Sequence, residues 1–378
     1  MDRSNVRIPC VLMRGGTSKG LIIKDMDLPK DTNLRDEAIL KIYGSSKNGQ
    51  IDGIGGGTSL TSKLGIVGIS ENYDYDIYYT FGQVSIYENN IDFNVTCGNM
   101  ASAVGLYAVQ EGLVTVKEPY TKVRILNTNT NKIMEVEVPV SQNTPVTEGD
   151  YQIDGVSQNG AKINVSFLDP DGAFTGKLFP SGNLIDTMYT QSGKTFNVSI
   201  LDTGNIVAFV HASAFNLIGP EGEDVINNEE ILNEIEELRI AVGIKLGIFK
   251  TEQSINPQVD ALPKIALVAN PENDSVDIIG RYISMGKLHK AFAVSGSIAL
   301  AAACKIPNTI PNLLVNEPKN NMVVIGHPSG TIPVEIFIDK NESDYSVVKG
   351  SIGRTARRIM EGYALVPTSI IEKDGERI

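Results

Sequence analysis

Between Met100 and Val109 the chain carries no charged side chain, and Ala, Ser and Gly make up half of the run. A surface helix would show a polar face over this length, so a helix that is small or apolar on every side must be buried all round. The extended lead-in Phe93, Val95, Thr96 runs into Cys97-Gly98-Asn99 at the head of that helix. The first N–H groups of a helix lack internal partners and carry partial positive charge. Cys97 therefore precedes a buried anion-binding terminus, a setting that makes a thiol reactive. The plain alternative is a core cysteine acting as a small hydrophobe. The Cys-Gly-Asn turn at the helix head argues against it.

The second half of the chain repeats this pattern. Val294-Ser295-Gly296-Ser297 opens another charge-free run of small residues, reaching Cys304. In both places a nucleophile-type residue is followed by Gly, a small polar residue and a helix of small side chains. Upstream, strand 6–13, the loop Arg14–Gly20 and strand 21–23 are matched by strand 196–201, the loop Asp202-Thr203-Gly204-Asn205 and strand 206–211. The order implies an internal duplication, each copy wrapping strands around one buried helix. Two unrelated Ala-rich helices are the alternative. At 378 residues the chain also exceeds the usual size of a single core.

Between these landmarks, Asp36–Tyr43 reads as a short helix, Asp76–Ile86 as a strand, and 122–126 with 133–139 as a hairpin over Asn127–Asn131. Glu148–Lys162 is polar and reads as a loop with one short strand, and Phe167–Asn183 carries the Gly and Pro punctuation of an interdomain crossing. Glu229–Gly243 is an acidic amphipathic helix, and Lys264–Val268 is a β run.

Composition excludes several classes. The formal charge is −12, with 33 basic against 45 acidic residues, which argues against nucleic acid as a partner. No apolar run approaches the ~20 residues of a membrane span, and the first residues lack a signal-peptide core. Three widely spaced cysteines, Cys10, Cys97 and Cys304, form neither a disulfide framework nor a Cys-x-x-Cys pair, as expected of a reduced, cytoplasmic protein. No His/Asp/Glu grouping has metal-ligand spacing, so neither a metal nor another cofactor is expected.

Two flexible loops remain as candidate ligand contacts. Arg14–Gly20 offers N–H groups, the Thr17 and Ser18 hydroxyls and the Arg14 and Lys19 cations, suited to a carboxylate and equally to a plain hairpin turn. It lacks the Gly-Lys-Ser/Thr ending of a phosphate loop. The run Gln50–Ser62, rich in Gly and hydroxyls and including Ser59, ends at Lys63 directly before an apolar strand. A lysine desolvated there would have a depressed pKa and could carry a proton.

The motifs Met13–Gly20, Ser59–Lys63, Phe81–Ile86, Thr96–Asn99, Phe179–Asn183, Ser284–His289, Gly326–Gly330 and Ala356–Gly362 together resemble the PrpF family, in order over nearly the whole chain. That family includes 2-methylaconitate cis–trans isomerase, 3-methylitaconate isomerase and 4-oxalomesaconate tautomerase. The resemblance implies an α+β, diaminopimelate epimerase-like fold: two pseudo-symmetric domains, each of β-strands wrapped around a central buried helix. Residues 1–185 with 350–378 would form the first domain and 186–349 the second. It further implies Lys63 and Cys97 as the acid–base pair of a cofactor-independent isomerase acting on an unsaturated di- or tricarboxylate. Methylaconitate members are slightly favoured by the uninterrupted 284–289 motif and the Gly15-Gly16 pair. The substrate carboxylates would meet Thr17, Ser18, Lys19, Ser59, the amides of Gly98-Asn99 and of Ser295-Gly296-Ser297, and His327. Amino-acid epimerases of this fold use two cysteines, and Ser295 in the second position counts against that activity. A carboxylate-binding protein without catalysis is the remaining alternative, and self-association into a homo-oligomer is left open.

Overall fold

In the computed structural model, residues 4–250, 262–315, 320–341 and 344–371 are described. In chain order the first half contains β1 (Asn5–Gly15), β2 (Ser18–Lys24), α1 (Thr32–Tyr43), β3 (Lys63–Ile69), β4 (Ile77–Val84), β5 (Ile91–Asp92), α2 (Gly98–Gln110), β6 (Tyr120–Asn127), β7 (Lys132–Ser141), β8 (Thr144–Pro145) and β9 (Ile163–Leu168). The second contains β10 (Asp186–Tyr189), β11 (Thr195–Asp202), β12 (Ile206–His211), α3 (Glu223–Ile226), α4 (Glu229–Lys245), β13 (Lys264–Ala269), β14 (Ile278–Ser284), β15 (Lys287–Leu288), α5 (Val294–Lys305), α6 (Ile310–Leu314), β16 (Met322–His327), β17 (Gly330–Asn341) and β18 (Asp344–Arg354). Then β19 (Ala356–Pro367) and α7 (Thr368–Ile371) close the described chain.

The pairing is the same in both halves. β1 pairs antiparallel with β2, β2 parallel with β3, β3 antiparallel with β4, and β4 parallel with β6, which continues antiparallel through β7 to β9. Strand for strand, β11, β12, β13, β14, β16, β17 and β18 repeat these directions. β5 and β15 are the same short hairpin arm before the helix. β19 lies antiparallel to β1, as β10 lies to β11, so the last strand returns to the first half. The halves join through the antiparallel pair β9–β18. The fold is α+β.

Each half wraps its strands around one helix. Every residue of α2 from Gly98 to Val109 is buried, as is every residue of α5 from Val294 to Cys304. Small side chains let the strands approach: α2 touches β1, β2, β6, β7 and β9, and α5 touches β11, β12, β16, β17 and β18. Both helices belong to one continuous apolar core. Their N-termini abut, because a Cβ on Gly98 would come within 2.5 Å of Val294 Cγ1.

Among the boundaries that differ from the sequence expectation, two helix starts have a clear local reason. α1 starts at Thr32, because Asp31 caps it by accepting from the Asn33 and Leu34 N–H groups at 2.9 Å each. α5 begins at Val294, so Ser295 lies inside the first turn, whereas Cys97 stands as the N-cap just before α2. Among the described residues no helix is long and apolar enough to cross a membrane.

Candidate active site

A cavity lies where the two helix N-termini meet. Ser18, Lys63, Gln83 and Cys97 line it from the first half, and Asn205, Lys264, Tyr282 and Ser295 from the second. The inner chamber offers about 60 Å³, room for a carboxylate-sized group. An adjoining chamber of about 510 Å³ shares Ser59, Leu60, Ser284, Met285 and His289 with it. The larger chamber falls in the ~300–1,000 Å³ range of small-molecule pockets.

Lys63 is the first residue of β3 and is buried. Its ammonium donates to Gln83 Oε1 at 2.8 Å and lies 5.2 Å above the Phe81 ring. Gln83 is itself held, donating from Nε2 to the Ser62 carbonyl at 3.2 Å. Burial lowers the Lys63 pKa, and negative charge on Cys97 pulls it back up. The amine is therefore closer to neutrality than an exposed lysine, with no carboxylate ion-paired to it among the described residues.

The Lys63 backbone is fixed from two sides. The Tyr43 hydroxyl donates to the Lys63 carbonyl and accepts from the Leu21 N–H at 3.1 Å. Across the parallel pair β2–β3, Gly20 faces Lys63, and a Cβ there would stand 1.8 Å from the Lys63 carbonyl oxygen.

Around α2 the first intrahelical bond runs from the Ala101 N–H to the Cys97 carbonyl at 3.1 Å. Helix geometry leaves the Gly98, Asn99 and Met100 N–H groups outside the ladder. Cys97 Sγ lies 4.0 Å from Ser18 Oγ. Asn99 Nδ2 donates to Thr17 Oγ1 at 3.0 Å and Ser18 Oγ at 3.3 Å, while its Oδ1 accepts from Arg354 Nε at 3.0 Å. Arg354 is buried, and desolvation lowers its pKa to about 10, so it still carries its charge behind the α2 terminus at neutral pH.

At α5 the Ser297 N–H already donates to the Ala293 carbonyl at 2.8 Å, and its hydroxyl donates to the Val294 carbonyl at 2.7 Å. Ser297 is thus committed to the helix, which corrects its expected carboxylate contact. The amides left outside the ladder are those of Val294, Ser295 and Gly296. Ser295 Oγ accepts from Asn205 Nδ2 at 2.6 Å. Asn205 also spans the halves: its Oδ1 accepts from the Thr96 N–H at 3.3 Å, and its Nδ2 reaches the Thr96 carbonyl at 3.4 Å.

Not every expected contact converges on the cavity. Ser59 lines both chambers, and Thr17 lines only the larger one. Lys19 and His327 line neither chamber. The Lys19 N–H is used in pairing with the Leu60 carbonyl. His327 sits at the end of β16, where its Nδ1 accepts from the Ser329 N–H at 3.2 Å. The histidine that does line the cavity is His289, whose Nδ1 accepts from the Ala291 N–H at 3.0 Å. Burial pushes His289 down to about 4, so at neutral pH it is an uncharged imidazole with Nε2 as the donor.

Gln83, Asn205, Lys264 and His289 are site residues that sequence reasoning did not single out. Gln83 and His289 fall inside quoted motifs and Asn205 inside a loop of the duplicated pattern, which was the only signal available for them. Lys264 opens β13 as Lys63 opens β3.

Two matching halves meet at facing helix termini, with a buried lysine and a thiol lining the cavity at their junction. A hydroxyproline epimerase from Agrobacterium vitis has the same fold, with a TM-score of 0.61 at 10% identity, covering 96% of this chain and 93% of that one. The chain belongs to the PrpF protein family, which it matches over residues 5–367. It is 43% identical over 375 residues to 3-methylitaconate isomerase of Eubacterium barkeri, covering 96% of this chain and 97% of that protein. Identity to 2-methyl-aconitate isomerase of Shewanella oneidensis is 33% over 388 residues, with 96% and 97% covered. A crystal structure of methylitaconate-delta-isomerase superposes with a TM-score of 0.80 at 40% identity, 99% of each chain being covered. The protein is an isomerase.

The three free cysteines separate by environment, which gives a direct check on the site. Burial raises the Cys10 and Cys304 thiols, and Cys304 is fully enclosed in α5. Cys97 opens onto the cavity instead. In the folded protein a small alkylating agent should modify Cys97 first and Cys304 last, read by peptide mass spectrometry. Equal labelling of all three would contradict the placement of Cys97 at an accessible site.

Proposed function

We propose that the protein moves a proton across the allylic system of a branched, unsaturated di- or tricarboxylate, without a cofactor. The observation that carries this reading is Lys63, a buried amine held on Gln83 and lining the same cavity as Cys97 and both free helix termini. Lys63 and Cys97 act as acid–base groups, removing an allylic proton to leave a dienolate. Negative charge then develops on the adjoining carboxylate. The amides of Gly98-Asn99 and Ser295-Gly296 and the Ser18 hydroxyl are suited to stabilise it. Returning the proton to the other end of the allylic system shifts the double bond. Returning it to the same carbon after rotation exchanges the cis and trans isomers.

The sequence expectation leaned toward methylaconitate. The greater identity to 3-methylitaconate isomerase favours double-bond migration in a methylitaconate-like dicarboxylate as the first substrate to test, with 2-methylaconitate second. Amino-acid epimerisation is disfavoured because Ser295, bound to Asn205, replaces the second thiol. We read the protein as a cytoplasmic enzyme of such metabolites. In D₂O, with no metal or cofactor added, 3-methylitaconate should convert to its double-bond isomer with deuterium incorporated, followed by proton NMR. If methylitaconate, methylaconitate and oxalomesaconate all remained unchanged and unexchanged, the isomerase assignment to this substrate class would be wrong.

A further inference from the structure

The inner chamber combines two amines with no acid. Lys63 and Lys264 line it, one from each half, and no Asp or Glu is among the described residues around it. The chain as a whole is acidic, with a formal charge of −12, so this lining is the reverse of the average. Lys63 belongs to the acid–base pair with Cys97, and Lys264 takes no part in that pair. Lys264 lines the inner chamber and not the adjoining one. It heads β13 beside Val207 of β12, and the pair Ile265–Ile283 sets it next to Ser284 of β14. Among the described residues its one hydrogen-bond partner is the neutral Ser284 Oγ at 3.4 Å, and it makes no ion pair. The two acids that favour its charged form are engaged elsewhere. Asp92 accepts from the Asn94 N–H at 2.7 Å, and Glu236 pairs with Arg239 at 2.7 Å. A buried ammonium is costly unless a partner of opposite charge meets it.

We propose that Lys264 anchors a substrate carboxylate and makes the site selective for dicarboxylates over monocarboxylates, without exchanging a proton with the substrate. This rests on the function proposed above and leaves Lys63 and Cys97 as the acid–base pair. The inner chamber has room for a carboxylate-sized group, and the rest of the ligand would occupy the adjoining chamber. In the empty site, burial lowers the Lys264 pKa to about 7; Asp92 opposes this, Arg239 and Lys63 add to it, and Glu236 opposes it. His289, on the same lining, is uncharged at neutral pH and does not compete for the anion. A carboxylate arriving beside Lys264 favours its charged form, so the bound state holds the ammonium. A ligand with one carboxylate has no second charge to offer a chamber that contains two amines. The cost of burying Lys264 is then offset only when a dicarboxylate is bound.

The probe is 2,3-dimethylsuccinate, a saturated dicarboxylate with no allylic hydrogen, set against its half-amide, which keeps one carboxylate. In calorimetric titrations wild type should bind the diacid more tightly by on the order of 10–100-fold, the usual worth of a charge-assisted hydrogen bond. Lys264→Met should erase most of that preference, weakening the diacid by a similar factor and leaving the half-amide nearly unchanged. With 3-methylitaconate the same variant should raise KM and largely keep kcat, the mark of binding shared by ground and transition states. A fall in kcat at unchanged KM would overturn the proposal. Equal weakening of diacid and half-amide would overturn it too, because that is what a merely structural lysine would produce. The wild-type comparison needs no variant to fold, and equal affinity for the two ligands would overturn the proposal by itself. If the diacid preference and its dependence on Lys264 were found but none of the substrate set turned over, the functional reading would fail while the anchor stood.

Discussion

Replacing Lys63 with methionine should lower kcat/KM by on the order of 10²–10⁴-fold, the usual contribution of a positioned acid–base group. Methionine keeps roughly the length of the side chain over the Phe81 ring but has no proton to exchange. Lys63→Arg should not rescue turnover, because arginine keeps its charge and does not give up a proton near neutral pH. For wild type, the base form is the neutral amine. Because burial lowers the Lys63 pKa, kcat/KM should rise with pH at lower pH than the ~10.4 of a free lysine would allow. The stability consequence has a definite sign. The folded-state pKa lies below the unfolded value, so between the two the unfolded chain binds more protons, and stability rises with pH. The penalty is complete below the folded-state pKa and vanishes above about 10.4. Urea titrations of wild type and Lys63→Met across that range should therefore show the shallower pH slope in the variant. A variant with wild-type turnover would remove Lys63 from the mechanism, and an unchanged slope would mean that the amine is not desolvated.

The parts of this arrangement that were legible in the sequence are those governed by local composition. α2 and α5 could be placed because a run without charge admits few alternatives to burial. Lys63 stood out because a loop of glycines and hydroxyls ends on it. Lys264 has no such loop before it and reads as the first residue of an apolar strand. Only the strand registers β12–β13 and β13–β14 reveal it as the counterpart of Lys63. Asn205 was hidden for a related reason. Its partners, Thr96 and Ser295, lie about a hundred residues away on either side, in opposite halves. His327 drew notice through its Gly-His-Pro-Ser-Gly setting, yet β16 carries it outside the cavity, while His289 on the short arm after β15 reaches it. The early start of α5 has a local cause: the Val294 carbonyl takes the Ser297 hydroxyl, and its backbone already turns.

Gly20→Ala should disable the enzyme without touching any group that exchanges a proton. The added Cβ would meet the Lys63 carbonyl oxygen at 1.8 Å and its carbonyl carbon at 2.4 Å, so the clash is with backbone that has no rotamer to adopt. Relief requires β2 and β3 to separate at the residue that carries the amine. The same shift disturbs the Tyr43 hydroxyl, which accepts from the neighbouring Leu21 N–H while donating to the Lys63 carbonyl. Overpacking of this kind costs about 1–3 kcal/mol. A displacement of about 1 Å in a positioned group can cost on the order of 10²-fold in rate. Gly65, two residues along the same strand, provides the contrast. A Cβ there would find the Tyr79 ring at 3.3 Å and the Ile22 and Val104 side chains at 3.6 Å, contacts that small side-chain shifts can absorb. Gly65→Ala should therefore keep most of its turnover and stability, whereas Gly20→Ala should lose both, with kcat falling well beyond what reduced folded protein accounts for. Equal behaviour of the two variants in parallel thermal melts and turnover assays would show that the close approach of β2 to β3 does not position Lys63.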